Sequence, residues 1–123
     1  MDIKKAKTIT KRGLPSDVKA AVKAGQAKKG EEILVLDLRD AAAFTDFFVI
    51  MHGNSSRQNA AISETIEQEL KAGGVRPLGV EGTQHGEWIL MDYGNFVVHI
   101  FSKQARDYYL LEKLWGDAPK ISC

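Results

Sequence analysis

The chain has a single cysteine, Cys123, so neither an intrachain disulfide nor a thiolate metal cluster can form. Such sparing use of cysteine suits a reducing cytoplasm, which is the expected location. Histidines are also few: His52, His85 and His99 lie far apart, and none has a second ligand at i+3 or i+4 on a helix, so a metal site is not expected. Long apolar runs are missing. The longest, Phe47–Met51, is far too short to cross a bilayer, and no membrane contact is expected. The N-terminal stretch lacks the apolar h-region of a secretory signal. It is basic and acid-poor, as mitochondrial presequences are, but its cations are mostly Lys and a structural helix is readable from Ser16. No Gly-x-Gly-x-x-Gly or Gly-x-x-x-x-Gly-Lys-Ser/Thr fingerprint occurs, so nucleotide binding by those routes has no support and no cofactor is expected.

A length of 123 residues, 44% hydrophobic and 27% charged, fits one soluble domain with a proper core. The net charge of +1 conceals an uneven distribution. Residues 1–30 hold nine Lys/Arg against Asp2 and Asp17, a balance of +7, whereas residues 31–123 balance at −6. Residues 1–14 lack periodicity and end at the breaker Gly13-Leu14-Pro15. They read as a flexible basic tail able to make a weak contact with something anionic such as RNA, although a solvated terminus has the same composition. Residues 15–119 read as the single domain, and the acidic body of residues 31–123 is not a nucleic-acid surface.

Periodicity predicts the elements in turn. Val18, Ala21, Val22 and Gly25 recur at helical spacing after the N-cap candidate Ser16, with Lys19, Lys23, Lys28 and Lys29 largely on the other side and Gly30 as the stop. Ile33–Leu38 and Phe47–Met51 are continuous apolar runs suited to strands covered on both faces, and the short connection between them predicts antiparallel pairing. Ser55 and Gln58 have the spacing of a capping box, followed by the stripe Ile62, Ile66 and Leu70 and the stop Gly73-Gly74. Arg76–Val80 is a weak strand that Pro77 assigns to an edge. Lys103–Trp115 reads as one last helix, with Tyr108, Leu111 and Trp115 sharing a face and Gly116 ending it. The order α-β-β-α-(β)-β-β-α predicts an α/β fold, a single-domain mixed β-sheet with helices packed on it.

The stretch Glu81–Phe101 is the most informative. Its runs Trp88–Asp92 and Phe96–Phe101 flank a Gly94-Asn95 hairpin turn, and alternation puts Trp88, Leu90 and Asp92 on one face. A large aromatic beside a carboxylate on an exposed strand is odd for a core and ordinary for a docking surface. The rival position for Trp88 is a core site beneath a helix. His99, inside an apolar strand, reads as a hydrogen-bonded structural histidine, and Ser55 and Ser56 read as caps. Gly53-Asn54-Ser55 together with Asp92 loosely matches a nucleotidyltransferase layout, but that chemistry needs at least two carboxylates converging on metal ions, and the acid-x-acid strand pair is absent.

These residues resemble the ribosomal silencing factor (RsfS, or Iojap) family. The matching motifs are Leu36-Asp37-Leu38, Thr45-Asp46-Phe47-Phe48-Val49-Ile50, Gly53-Asn54-Ser55-Ser56-Arg57-Gln58 and Gly79-Val80-Glu81-Gly82. They continue through Trp88-Ile89-Leu90-Met91-Asp92-Tyr93-Gly94, Val97-Val98-His99-Ile100-Phe101 and Arg106-Asp107-Tyr108-Tyr109-Leu110-Leu111-Glu112-Lys113-Leu114-Trp115. Asn95 departs from the Asp usual there, a change of local charge in a turn that tolerates either. The resemblance implies a nucleotidyltransferase-like fold without its catalytic carboxylates, and hence no enzyme. It implies binding to the large ribosomal subunit through its fourteenth protein, blocking association with the small subunit and repressing translation when nutrients are scarce. It places partner contacts on Trp88 and Asp92, with Leu90 and Glu81 nearby, and it implies a homodimer without singling out its face. The alternatives are a nucleotidyltransferase-like enzyme, a nucleotide-binding module or a large-subunit assembly factor.

Overall fold

Phe47–Gly53 and Phe96–Ser102 are the two most apolar segments, and they form adjacent central strands that are buried on both sides. They belong to a computed structural model that describes residues 10–41 and 43–123. The helices are α1 (Ser16–Ala27), α2 (Ser56–Ala72), α3 (Lys103–Tyr109) and α4 (Leu111–Leu114). The strands are β1 (Glu31–Asp37), β2 (Phe47–Gly53), β3 (Gly79–Glu81), β4 (Trp88–Asp92), β5 (Phe96–Ser102) and β6 (Lys120–Ser122). They make one mixed sheet in the order β3-β4-β5-β2-β1-β6. β2 and β5 run parallel, and every other neighbouring pair is antiparallel. The α/β reading and the antiparallel pairing of β1 with β2 are both present in the structure.

One face of the sheet presents Val35, Val49, Met51, Ile89, Met91, Val98 and Ile100 to α1 and α2. α1 buries the expected stripe, and Gly25 within it permits close approach: a Cβ there would stand 2.7 Å from Met51 Sδ. Its ends differ from the sequence reading. Pro15 rather than Ser16 occupies the cap position, and Lys29 takes the left-handed turn at φ 63 ahead of Gly30. Before it, Lys11–Gly13 form a 3-10 turn and Leu14 is buried, while residues 1–9 of the expected tail lie outside the described residues. At the other end β6 pairs with β1, extending ordered structure beyond Pro119.

α2 is capped as its sequence predicts, with Ser55 Oγ accepting the Gln58 N–H at 3.0 Å. The Gln58 amide does more than a capping box requires. Its Oε1 accepts the Asn54 N–H at 2.6 Å, and its Nε2 donates to the carbonyls of Lys28 and Lys29 at 3.1 Å each, tying the start of α2 to the end of α1. The tight hairpin is also present: Tyr93 N–H donates to Phe96 O at 2.9 Å around Gly94 (φ 88) and Asn95.

The other face of the sheet is covered more thinly. Leu36, Leu38, Phe48, Ile50, Val97 and Phe101 pack with Ala105, Leu111 and Trp115 of the C-terminal segment. That segment is not one helix. Leu110 adopts φ 48 and separates α3 from α4, at a cost of roughly 1–2 kcal/mol for a non-glycine residue. The break swings Leu111 and Trp115 onto the sheet and leaves Tyr108 exposed, so the predicted shared face of Tyr108 with Trp115 does not exist. Arg106 holds the break together. It is buried, its Nε donates to Glu112 Oε2 at 3.2 Å, and its Nη1 donates to Glu31 O at 3.3 Å and to His52 Nδ1 at 3.0 Å. Because Nδ1 accepts from a cation, His52 is neutral with its proton on Nε2.

Two predictions follow from this packing. Gln58→Ala should destabilise the fold more than Ser55→Ala, by about 2 against about 1 kcal/mol, because it removes three side-chain bonds against one. Matched urea denaturation curves would measure the difference, and equal costs would contradict the tie to α1. Stability should also depend on pH through two buried histidines. Burial, followed by the Arg106 charge, lowers the His52 pKa, and burial lowers that of His99 to about 4. Both are depressed from an ordinary value of about 6.5, so their contribution is complete above that pH and is lost as pH falls through the folded values. Unfolding free energy should therefore decline between pH 7 and about pH 5, before most carboxylates titrate. The total available from His99 is of the order of 3 kcal/mol. A flat profile over that interval would contradict the neutral burial of both rings.

Candidate functional site

Strand register decides which of the sequence-predicted residues meet. Leu90 of β4 stands opposite Glu81 of β3 on one side and His99 of β5 on the other. Trp88 pairs with Phe101 and Asp92 with Val97, so Trp88, Leu90 and Asp92 share the face that Glu81 borders. The four predicted residues are thus brought together at one end of the sheet. This is the face opposite α1 and α2, because Ile89 and Met91, which alternate with them, are buried against those helices. Burial falls away across it: β5 is buried, β4 alternates half-buried with buried, and Glu81 on the edge strand is exposed.

The expectation of an exposed Trp88 needs correction. Trp88 is half-buried, with its ring centroid 4.6 Å from that of Tyr109 and 5.0 Å from that of Phe101. Its indole Nε1–H donates to His99 Nδ1 at 3.1 Å. The cause lies beyond the hairpin, since the end of α3 lays Tyr109 alongside the indole, and no pattern within residues 81–101 announces it. His99 is the structural histidine expected, T-packed on Phe48 at 4.4 Å, and its Nε2 has no hydrogen-bond partner. Desolvation holds this imidazole neutral, and an accepting Nδ1 assigns its proton to Nε2.

Asp92 and Glu81 differ in kind. Asp92 Oδ1 accepts the Gly94 N–H at 2.8 Å, so this carboxylate closes the hairpin while its residue remains half-exposed. Glu81 makes no ion pair with any described residue. Tyr109, offered by the sequence only as part of a helix face with Leu110 and Lys113, extends the area, and Leu78 is exposed at the nearby turn. Tyr109 is 49% exposed beside Trp88, and Leu78 is 76% exposed beside the Gly94 turn, its N–H donating to Asp92 O at 2.7 Å. Tyr109 was legible only as a helix residue, because its approach to Trp88 depends on the left-handed Leu110.

The nucleotidyltransferase layout is not assembled. The Gly53-Asn54-Ser55 loop follows β2 at the end where Gly53 pairs with Ser102, whereas Asp92 pairs with Val97 at the other end of β5. Five residues of strand separate the two, about 17 Å. A polar groove of about 380 Å³ does open at the loop, lined by Asn54, Ser55, Ser56, His85, Glu87 and Lys103 among others. Its Ser55 is occupied as a cap, and Glu87 is the only carboxylate on its walls. Among the described residues no three His, Cys, Asp or Glu side chains gather as metal ligands would. No helix of the described residues is long and apolar enough to cross a membrane.

Comparison with known proteins gives this geometry a family. Residues 11–123 match the family model described as "Ribosomal silencing factor during starvation". The chain is 43% identical over 104 residues to the ribosomal silencing factor RsfS of Bacillus subtilis, covering 85% of this chain and 88% of that protein. It is 28% identical over 106 residues to the mouse protein named "Mitochondrial assembly of ribosomal large subunit protein 1", covering 84% of this chain but only 46% of the longer mouse protein. A crystal structure of a protein from Chromobacterium violaceum superposes with a TM-score of 0.79 at 37% identity, over 81% of this chain and 83% of that one. The fold, the motifs and the comparisons agree, and the chain belongs to the ribosomal silencing factor family.

Proposed function

We propose that this protein binds the large ribosomal subunit through its fourteenth ribosomal protein and obstructs joining of the small subunit, repressing translation when nutrients are scarce, without catalysing a reaction. The observation that carries the reading is the half-covered end of the sheet, where Trp88, Leu90, Asp92 and Glu81 share one face. A fixed aromatic flanked by apolar and acidic groups has the composition of a binding hot spot, in which one or two large side chains carry most of the energy. Tyr109 enlarges the apolar part of this area, and Glu81 and Asp92 make its rim acidic. Such a rim favours a basic partner surface and steers its approach. Family membership supports the ribosome as the place of action, and the name of the mouse relative supports the large subunit.

The test is a subunit-joining assay on sucrose gradients with purified subunits. Wild-type protein should co-sediment with large subunits and reduce the joined-ribosome peak. Trp88→Ala should bind at least tenfold more weakly. It should also melt at a lower temperature while remaining folded, because the lost indole leaves His99 Nδ1 without a donor. Glu81→Lys, on an exposed edge residue, should weaken binding severalfold with stability unchanged within about 0.5 kcal/mol. Full binding by both folded variants would remove this face from the function.

A further inference from the structure

The densest charge of one sign lies on the other side of the molecule. Lys19 and Lys23, one turn apart on the exposed side of α1, join Lys11 and Arg12 of the preceding turn around a groove of about 560 Å³ floored by Leu14 and Val22. Lys28 and Lys29 continue the cationic stripe at the helix end, and all six cations are exposed. Among the described residues none of the six makes an ion pair, whereas Arg39, Lys103 and Arg106 in the body all do. A stripe of uncompensated like charges repels itself in the free protein, and a polyanion relieves that repulsion. α1 packs on the sheet face opposite Trp88, so the basic stripe and the acidic docking rim face away from each other.

We propose that this face of α1, centred on Lys19 and Lys23 with Lys11 and Arg12, binds the phosphate backbone of RNA without reading its sequence. The residue types select this occupant. No aromatic side chain lines the groove, so bases have nothing to stack on, and most of the cations are lysines, which meet phosphates as point charges and do not present the bidentate fork that reads a base edge. Residues 1–9 of the chain are a poor occupant, since Lys4, Lys5 and Lys7 outnumber Asp2 and share the sign of the groove. The proposal adds an RNA contact to the ribosomal reading above, and its test uses RNA without subunits, so the two can fail separately.

The experiment is fluorescence anisotropy of the full chain with a labelled RNA hairpin across a salt series. Four phosphate contacts predict that log K falls with log salt at a slope of about −3 to −4, near 0.9 per phosphate neutralised in a duplex. Scrambling the hairpin sequence while keeping its pairing should leave affinity unchanged, and so should Trp88→Ala. K19E/K23E, at exposed positions and with helicity checked by circular dichroism, should weaken binding at least tenfold and flatten the slope by about 2. The milder K19Q/K23Q should act in the same direction. Absence of RNA binding at low salt would overturn the proposal, as would wild-type affinity in K19E/K23E. Loss of binding in K4Q/K5Q/K7Q but not in K19E/K23E would also overturn it. So would capture of phosphatidylserine vesicles, or low-salt self-association of the chain, in place of RNA binding.

Discussion

The parallel pairing of β2 with β5 is the constraint on which the rest of the structure depends. Both strands are apolar on both faces, so the sheet needs cover above and below at its centre. A parallel pair also requires a long crossover, and α2 with the β3–β4 excursion supplies it. α1 and α2 seal one face. The other is covered by the residues after β5. Their solution is two short helices turned about a left-handed Leu110, enough to cover Phe48, Leu36 and Phe101 and to reach Trp88 with Tyr109. The β3–β4 end lies at the margin of these helices and stays half-covered.

This economy gives the molecule two dissimilar sides. Beside the thin cover lie the aromatic strip and the acidic side chains of Glu81 and Asp92, and on the full helical layer lie the cations of α1, which make no ion pair among the described residues. Residues 1–30 balance at +7 and residues 31–123 at −6, and the basic stripe of α1 lies on the side of the sheet away from Glu81 and Asp92, an asymmetry that favours one orientation beside a charged partner surface. In the docking proposed above, the first side would meet the partner and the helical layer would face outward, as a steric obstacle between subunits requires.

Local signals made much of this legible in the sequence, and non-local ones did not. The Ser55 cap, the Gly94 hairpin, the α1 stripe and the edge position of β3 each depend on residues within a few positions of one another, and each is present in the structure. The pairing of β2 with β5 depends on segments far apart, and a doubly buried run does not identify its neighbour. β6 has three residues, shorter than any period can reveal. Leu110 carries no sign of a left-handed turn. The sheet on which Trp115 packs and the Glu31 and His52 partners of Arg106 impose it from outside the segment. Trp88, Leu90, Asp92 and Glu81 could be placed on one face by alternation and turn position, but the half-burial of Trp88 comes from that same break.

The half-burial changes the physics of the docking proposed for Trp88. A freely exposed indole would lose rotamer freedom on binding, at a cost of the order of 0.5–1.5 kcal/mol. Here Tyr109, Phe101 and the bond to His99 already hold the ring in one position, so most of that loss is met during folding. The arrangement works only while His99 is neutral, because a protonated imidazole has no lone pair at Nδ1 to accept the indole N–H. Burial depresses the His99 pKa to about 4 and so keeps that acceptor available at any pH at which ribosomes work. His99 itself need not touch the partner. Its buried, neutral ring fixes the tryptophan proposed to do so.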